Sequence, residues 1–191
     1  MAILRELRDI LLVWTAFLIA AVMGMCRGEI FGLKWGDIDF ERAILHIRRS
    51  YVDGVVGPPK TDSSRRPLPI PPQVLAALKA WRKKATRRLG FRIGRVLWQQ
   101  PYWPGTLWRR NVAPAIERAG VTKPNLGWHT LRRSYASLLL SSGASLRVSM
   151  ELMRHSTAEM TLQTYAQTVG DEKRDAGHKV ALMLLENDKA A

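Results

Sequence analysis

His129-Thr130-Leu131-Arg132-Arg133-Ser134-Tyr135-Ala136-Ser137-Leu138-Leu139-Leu140-Ser141-Ser142-Gly143 reads as one helix and its stop. Leu131, Tyr135, Leu138 and Leu139 recur at three- and four-residue spacing, so they form one buried stripe, and Gly143 ends the run. His129 and Arg132 stand on one edge of the first turn, beside the unpaired N–H groups of the helix start, where an anion is held from several sides. Taken alone, the pair fits a capping histidine next to a surface arginine better than it fits a functional site. Two short helices follow, about Leu146 to Met153 and Thr157 to Ala166, with His155 between them and Tyr165 on the second. A histidine, an arginine, a second histidine and a tyrosine in this order offer a phosphate clamp, two hydrogen-bonding rings and a nucleophile.

Working back toward the N-terminus, Pro71-Pro72 opens a helix that runs to about Leu89, with Val74, Leu75, Leu78 and Trp81 on one face and basic residues on the other. Phe91 to Gly105 is irregular in pattern, and helical spacing resumes from about Thr106 to Ala119. Between Asp37 and Ile70 the period changes to two. Ile44 to Arg48 and Tyr51-Val52 read as strands, Asp53-Gly54 as a hairpin turn, and Arg66 to Ile70 as a proline-limited edge strand. The first ~35 residues read as helix. Within them the 17-residue run Ile10 to Cys26 is interrupted only by Thr15 and Gly24, which sets it at the lower limit of a membrane span. Arg27-Gly28-Glu29-Ile30 continues it directly without a small-residue cleavage site, so a buried core helix is the expectation. A last helix is expected at about Glu172 to Leu185. The fold class expected is mainly α with a small antiparallel β-sheet.

Charge narrows the function classes. The 191 residues carry a net charge of +14, which points first to nucleic acid and second to an anionic membrane surface. From Ser63 onward no acidic residue occurs before Glu117, while arginine and lysine recur throughout. A one-sign stretch of this length suits neutralisation by phosphates, because like charges along a helix repel. Arg65, Arg66, Arg82, Lys83, Arg87, Arg109, Arg110 and Arg133 are the candidates for DNA contact. The single cysteine, Cys26, excludes an intrachain disulfide and a cysteine-rich zinc site, and the four histidines lack metal-ligand spacing. No metal and no other cofactor is expected.

The stretch from His129 to Gly143, followed by Arg154-His155-Ser156 and by Tyr165, resembles the catalytic core of the tyrosine recombinases, the phage-integrase family. Gly24-Met25-Cys26-Arg27-Gly28-Glu29-Ile30-Phe31-Gly32-Leu33-Lys34-Trp35 is similar to the family's first motif. Pro59-Lys60-Thr61 with Ser64-Arg65-Arg66-Pro67-Leu68-Pro69 is similar to its hairpin lysine motif. The resemblance implies an integrase-type DNA breaking-rejoining domain that performs site-specific recombination through a 3′-phosphotyrosyl intermediate. In it Tyr165 would be the nucleophile and Arg132 the phosphate clamp. His129 and His155 would bond the phosphate, and Lys60, at a hairpin tip, would be the general acid. The implied partners are double-stranded DNA and further copies of the chain on that DNA. No membrane is expected, and a cytoplasmic, nucleoid-associated setting of prokaryotic or phage origin follows. Type IB topoisomerases share the chemistry.

This sequence departs from the family pattern at three places. Counting back from Glu29, the first catalytic arginine would fall on Cys26, and Arg27, a candidate substitute, lies about 100° further round the helix. Arg154 stands where the family usually has glycine, so a left-handed turn there becomes costly or another turn replaces it. The chain starts about 25 residues before the first motif, so one catalytic domain over residues 1–191 is expected, without a separate N-terminal core-binding domain. The alternative reading is an impaired integrase fragment that binds DNA without cutting it.

Overall fold

The apolar run becomes a helix of 13 residues, Leu11–Met23, with nine side chains buried and the other four partly buried. In the computed structural model, which describes residues 2–89, 104–122 and 124–166, the elements run in chain order as follows. The N-terminal part holds α1 (Ala2–Glu6), α2 (Leu11–Met23) and α3 (Arg27–Gly32). Then come β1 (Ile38–Asp39), β2 (Ile44–Leu45), β3 (Ser50–Val52), β4 (Val55–Gly57) and β5 (Leu68–Pro69). The helices α4 (Pro72–Leu89), α5 (Pro104–Leu107), α6 (Ala113–Arg118), α7 (Trp128–Ser141), α8 (Leu146–Met153) and α9 (Ala158–Ala166) complete the series. The expected last helix at about 172–185 lies outside the described residues.

Both α4 and α7 pack on α2, which makes α2 the centre of the core. At ~1.5 Å per residue a helix of its length falls well short of the ~30 Å of a bilayer's hydrocarbon. Among the described residues no helix is long and apolar enough to cross a membrane.

The strand region forms two small antiparallel sheets where one was expected. One has the order β1-β2-β5, and the other is the hairpin β3-β4. The hairpin turns at Asp53 (φ 47) and Gly54 (φ 89), the pair of positive angles that a tight two-residue turn needs. Pro69 sits on β5, an edge strand, where its missing N–H costs no ladder bond. Helix α3 lies on β3 at close range because two glycines face it. A Cβ on Gly28 would come within 2.3 Å of Ser50 Oγ, and one on Gly32 within 2.9 Å of the Arg49 carbonyl oxygen.

The reading of Thr106 to Ala119 as one regular helix needs correction. Residues Pro104–Leu107 are α-helical, Trp108–Val112 form a π segment, and α6 follows. The buried spacing widens to five there, from Leu107 to Val112, but Trp108 to Val112 keeps the ordinary four, so the sequence reads as a plain helix. Glycines end two helices as the pattern suggests, with Gly120 at φ 67 and Gly143 at φ 86.

Candidate active site

The start of α7 is held by aromatic packing. Trp128 is buried, meets Phe31 edge-on at 5.4 Å and Trp108 at 5.1 Å, and donates its indole N–H to the Pro104 carbonyl at 3.3 Å. Gly127 N–H donates to Thr130 Oγ1 at 3.2 Å, closing the first turn. This fixes the helix that carries His129, Arg132 and Arg133.

From α7, Arg132 reaches inward to two helix ends. One guanidinium nitrogen donates to the Gly24 carbonyl at 2.5 Å and the other to the Met153 carbonyl at 2.5 Å. These carbonyls terminate α2 and α8, where a cation is favoured by the negative end of each helix dipole. The two bonds use two of the five N–H groups of the fork. Gly24 is required twice over: its φ of 59 is left-handed, and a Cβ there would sit 2.3 Å from the Tyr135 ring.

Helix α8 ends in a Schellman turn with an arginine in the left-handed position. Arg154 has φ 54 and ψ 37, Arg154 N–H donates to the Glu151 carbonyl, and His155 N–H donates to the Met150 carbonyl. The turn that glycine would favour is thus kept, at a cost of about 1–2 kcal/mol for a side-chain-bearing residue. What holds it is the side chain. The Arg154 side chain is 1 % exposed and its guanidinium donates to Glu29 Oε2 at 2.5 Å; the Glu29 side chain is 6 % exposed. The same oxygen accepts the Cys26 N–H at 2.9 Å. Arg154 Nε and the second terminal nitrogen have no partner among the described residues.

Burial pulls the Arg154 guanidinium below the ordinary arginine range, Glu29 opposes that shift, and Arg132 adds to it. Burial, then the Glu29 charge, pushes the Cys26 thiol up, against the pull of Arg132, Arg154 and Lys60. The thiol thus stays protonated at neutral pH, the poorly nucleophilic form, and adds no charge to the cluster. His155 is buried beside them, with Nδ1 2.8 Å from Thr161 Oγ1. Burial first, then the charges of Arg132 and Arg154, lower it from 6.5 to about 4, so the ring is neutral near pH 7. A neutral ring that accepts the Thr161 hydroxyl at Nδ1 carries its hydrogen on Nε2, the tautomer able to donate to a phosphate oxygen.

A cleft of about 830 Å³ opens at the start of α7, and its lining includes Arg27, Arg109, His129 and Arg133 with Trp108 and Trp128. Arg27 and Arg109 also line a second cleft of about 440 Å³ with Tyr51 and Asp53. Three arginines and a histidine around an open cleft make a surface suited to phosphate groups.

The model of the phage integrase family matches residues 5–170 of this chain. The chain belongs to that family. Among curated relatives, a tyrosine recombinase XerC-like protein of Caldanaerobacter subterraneus is 28% identical over 84% of this chain and 46% of its own length. The chain therefore spans under half the length of that relative. In fold it is similar to the Tn1549 transposon integrase, solved in complex with transposon right end DNA. That match has a TM-score of 0.71 and 20% identity, and covers 94% of this chain and 63% of the other. The catalytic domain of bacteriophage HP1 integrase matches with a TM-score of 0.55 and 19% identity, over 90% of this chain and 86% of that domain.

Set against the integrase-family motifs, the expected residues separate into groups. Arg132, His155, Cys26 and the charge of Lys60 meet at the ends of α2 and α8. Lys60 is not at the hairpin tip, as expected, but in the loop after β4, because the turn is made by Asp53-Gly54. His129 parts from Arg132 and lines the basic cleft with Arg133, one turn on. Arg27, weighed as a substitute for the missing arginine, also faces that cleft.

Among the candidate DNA contacts, Arg65, Arg66, Lys83 and Arg110 are exposed, and Arg82 places its guanidinium 4.9 Å over the Phe40 ring. The Arg87 side chain lies outside the described residues. The backbone of Tyr165 is on α9, which packs against α7 and α8; its side chain also lies outside what is described. Sequence reasoning missed Arg154, Glu29 and Thr161 as members of the cluster. Two departures from one family pattern, an arginine missing at 26 and one gained at 154, were the available signal.

Proposed function

We propose that the chain cuts and rejoins double-stranded DNA in site-specific recombination, through a 3′-phosphotyrosyl link on Tyr165. The observation that carries this reading is Arg132. It is pinned between the carbonyl ends of α2 and α8, next to a neutral His155, with α9 packed on the same two helices that bear them. In the reaction the Tyr165 oxygen attacks the scissile phosphorus and the bond to the 5′ oxygen breaks. Arg132 bonds the non-bridging oxygens, whose charge grows in the transition state. His155 and His129 bond the same phosphate, with His129 assisting proton transfer, and Lys60 gives a proton to the departing 5′ oxygen. Attack of a 5′ hydroxyl on the phosphotyrosine reverses the step and rejoins the strand. Arg109, Arg133 and Arg27 hold the flanking backbone, and several copies assemble on one DNA.

The test is a nicked duplex whose cleaved product diffuses away, scored for protein–DNA adduct. The native chain forms an adduct and Tyr165→Phe forms none; absence of adduct from the native chain overturns the cleavage reading. Cys26 at the family's arginine position favours a second reading, a DNA-binding protein without cleavage. That reading shares the salt-sensitive DNA binding and lacks the adduct.

A further inference from the structure

We propose that Arg154 supplies the second guanidinium of the phosphate site, in place of the arginine absent from position 26. The inference rests on the cleavage reading above and adds to it a catalytic residue that the family motifs do not assign.

Three observations converge on it. Arg154 and the Cys26 N–H meet at one oxygen of Glu29, so the guanidinium reaches, from α8, the carboxylate that follows position 26 on α3. The short Cys26 side chain leaves that carboxylate to it. The group is also built in rather than accidental. It is buried, its backbone is held left-handed, and its partner is 125 residues away in the chain.

The third observation points to a ligand. Glu29 occupies one terminal nitrogen, while Nε and the other terminal nitrogen have no acceptor among the described residues. A closed structural ion pair would satisfy those donors, since buried polar groups are nearly always bonded. Charge counting agrees. Arg132 and Arg154 are near enough to oppose each other, and Lys60 adds a further positive charge felt at Cys26; the carboxylate of Glu29 balances one of them. A phosphodiester brings both the acceptor oxygens and the negative charge that this cluster lacks. Restoring arginine at 26 alone would crowd a third guanidinium against Glu29.

The experiment measures single-turnover adduct formation by the full chain on the nicked duplex, with thermal melting followed in parallel. The variants are Arg154→Lys, Arg154→Gly, Cys26→Arg and the double variant Cys26→Arg/Arg154→Gly. Arg154→Lys keeps a buried cation but loses the planar fork. It is expected to melt near the native chain and to slow about 10²-fold, the scale for loss of one preorganised donor. The double variant is expected to recover to within about tenfold of native.

On a duplex with a methylphosphonate at the scissile position the Arg154→Lys defect should shrink, because a methyl replaces one of the two non-bridging oxygens that the planar fork would bond together. A merely structural role predicts the same defect on both substrates. A folded Arg154→Lys with native rates, or a defect unchanged by methylphosphonate, overturns the role and leaves the cleavage reading standing. Adduct from the double variant but none from the native chain also overturns it. Adduct from no variant overturns the cleavage reading itself, and the role with it.

Discussion

At His155 the local environment sets a pH dependence. The unfolded ring takes a proton near 6.5, while the folded ring, disfavoured first by burial and then by Arg132 and Arg154, does so only at about 4. Between those values the unfolded chain binds more protons, so this contribution is complete above 6.5 and is lost as pH falls toward 4. Thermal melts at pH 7, 5.5 and 4.5 should show the native midpoint falling through that window and a shallower fall in His155→Gln. Parallel curves would refute the assignment. Gly24 is the second position governed by single-residue physics. Gly24→Ala places a methyl against the Tyr135 ring in a left-handed backbone, and an unfolding midpoint in urea should report a loss of about 2 kcal/mol or more. The same change disturbs the carbonyl that holds Arg132.

At the scale of elements, α7 and α8 position the candidate site. Helix α7 is steadied at its start by Trp128 and delivers Arg132 inward and His129 to the cleft. Helix α8 begins at Ser145, whose hydroxyl accepts the Val148 N–H at 3.2 Å, and ends at the turn that presents Arg154 and His155. Ser145→Ala should therefore cost about 1 kcal/mol in the urea midpoint, the usual value of such a cap. The bounds of α4 and α8 were legible because proline, serine and the apolar spacing act within a few residues. The π segment was not, since Trp108 to Val112 keeps an ordinary helical spacing and masks the five-residue step from Leu107 to Val112.

Over the whole molecule the proposed DNA binding would draw on the charge of +14. The logarithm of affinity should fall linearly with the logarithm of salt, as counterions are released from neutralised phosphates. Fluorescence anisotropy on Arg109→Ala/Arg133→Ala should give a slope shallower by roughly two than the native chain, one for each phosphate no longer neutralised. An unchanged slope would remove the basic cleft from the interface. The one-sign stretch announced a polyanion, but only the fold shows which of its members share a cleft. Arg109 lies there with Arg27 and Arg133 from other elements, whereas Arg82 lies over Phe40.

By itself the sequence determined the buried central helix, the hairpin turn at Asp53-Gly54, the helix stops and the ordered motif of His129, Arg132, His155 and Tyr165. Each of these rests on spacing, caps or residue order, which neighbouring residues encode. Only the tertiary structure decided what the cluster at the end of α8 contains. Arg132 meets carbonyls of residues 24 and 153, and Arg154 reaches Glu29 across the core. Such contacts arise from packing distant segments together, and no local pattern specifies which buried carboxylate a given arginine will find.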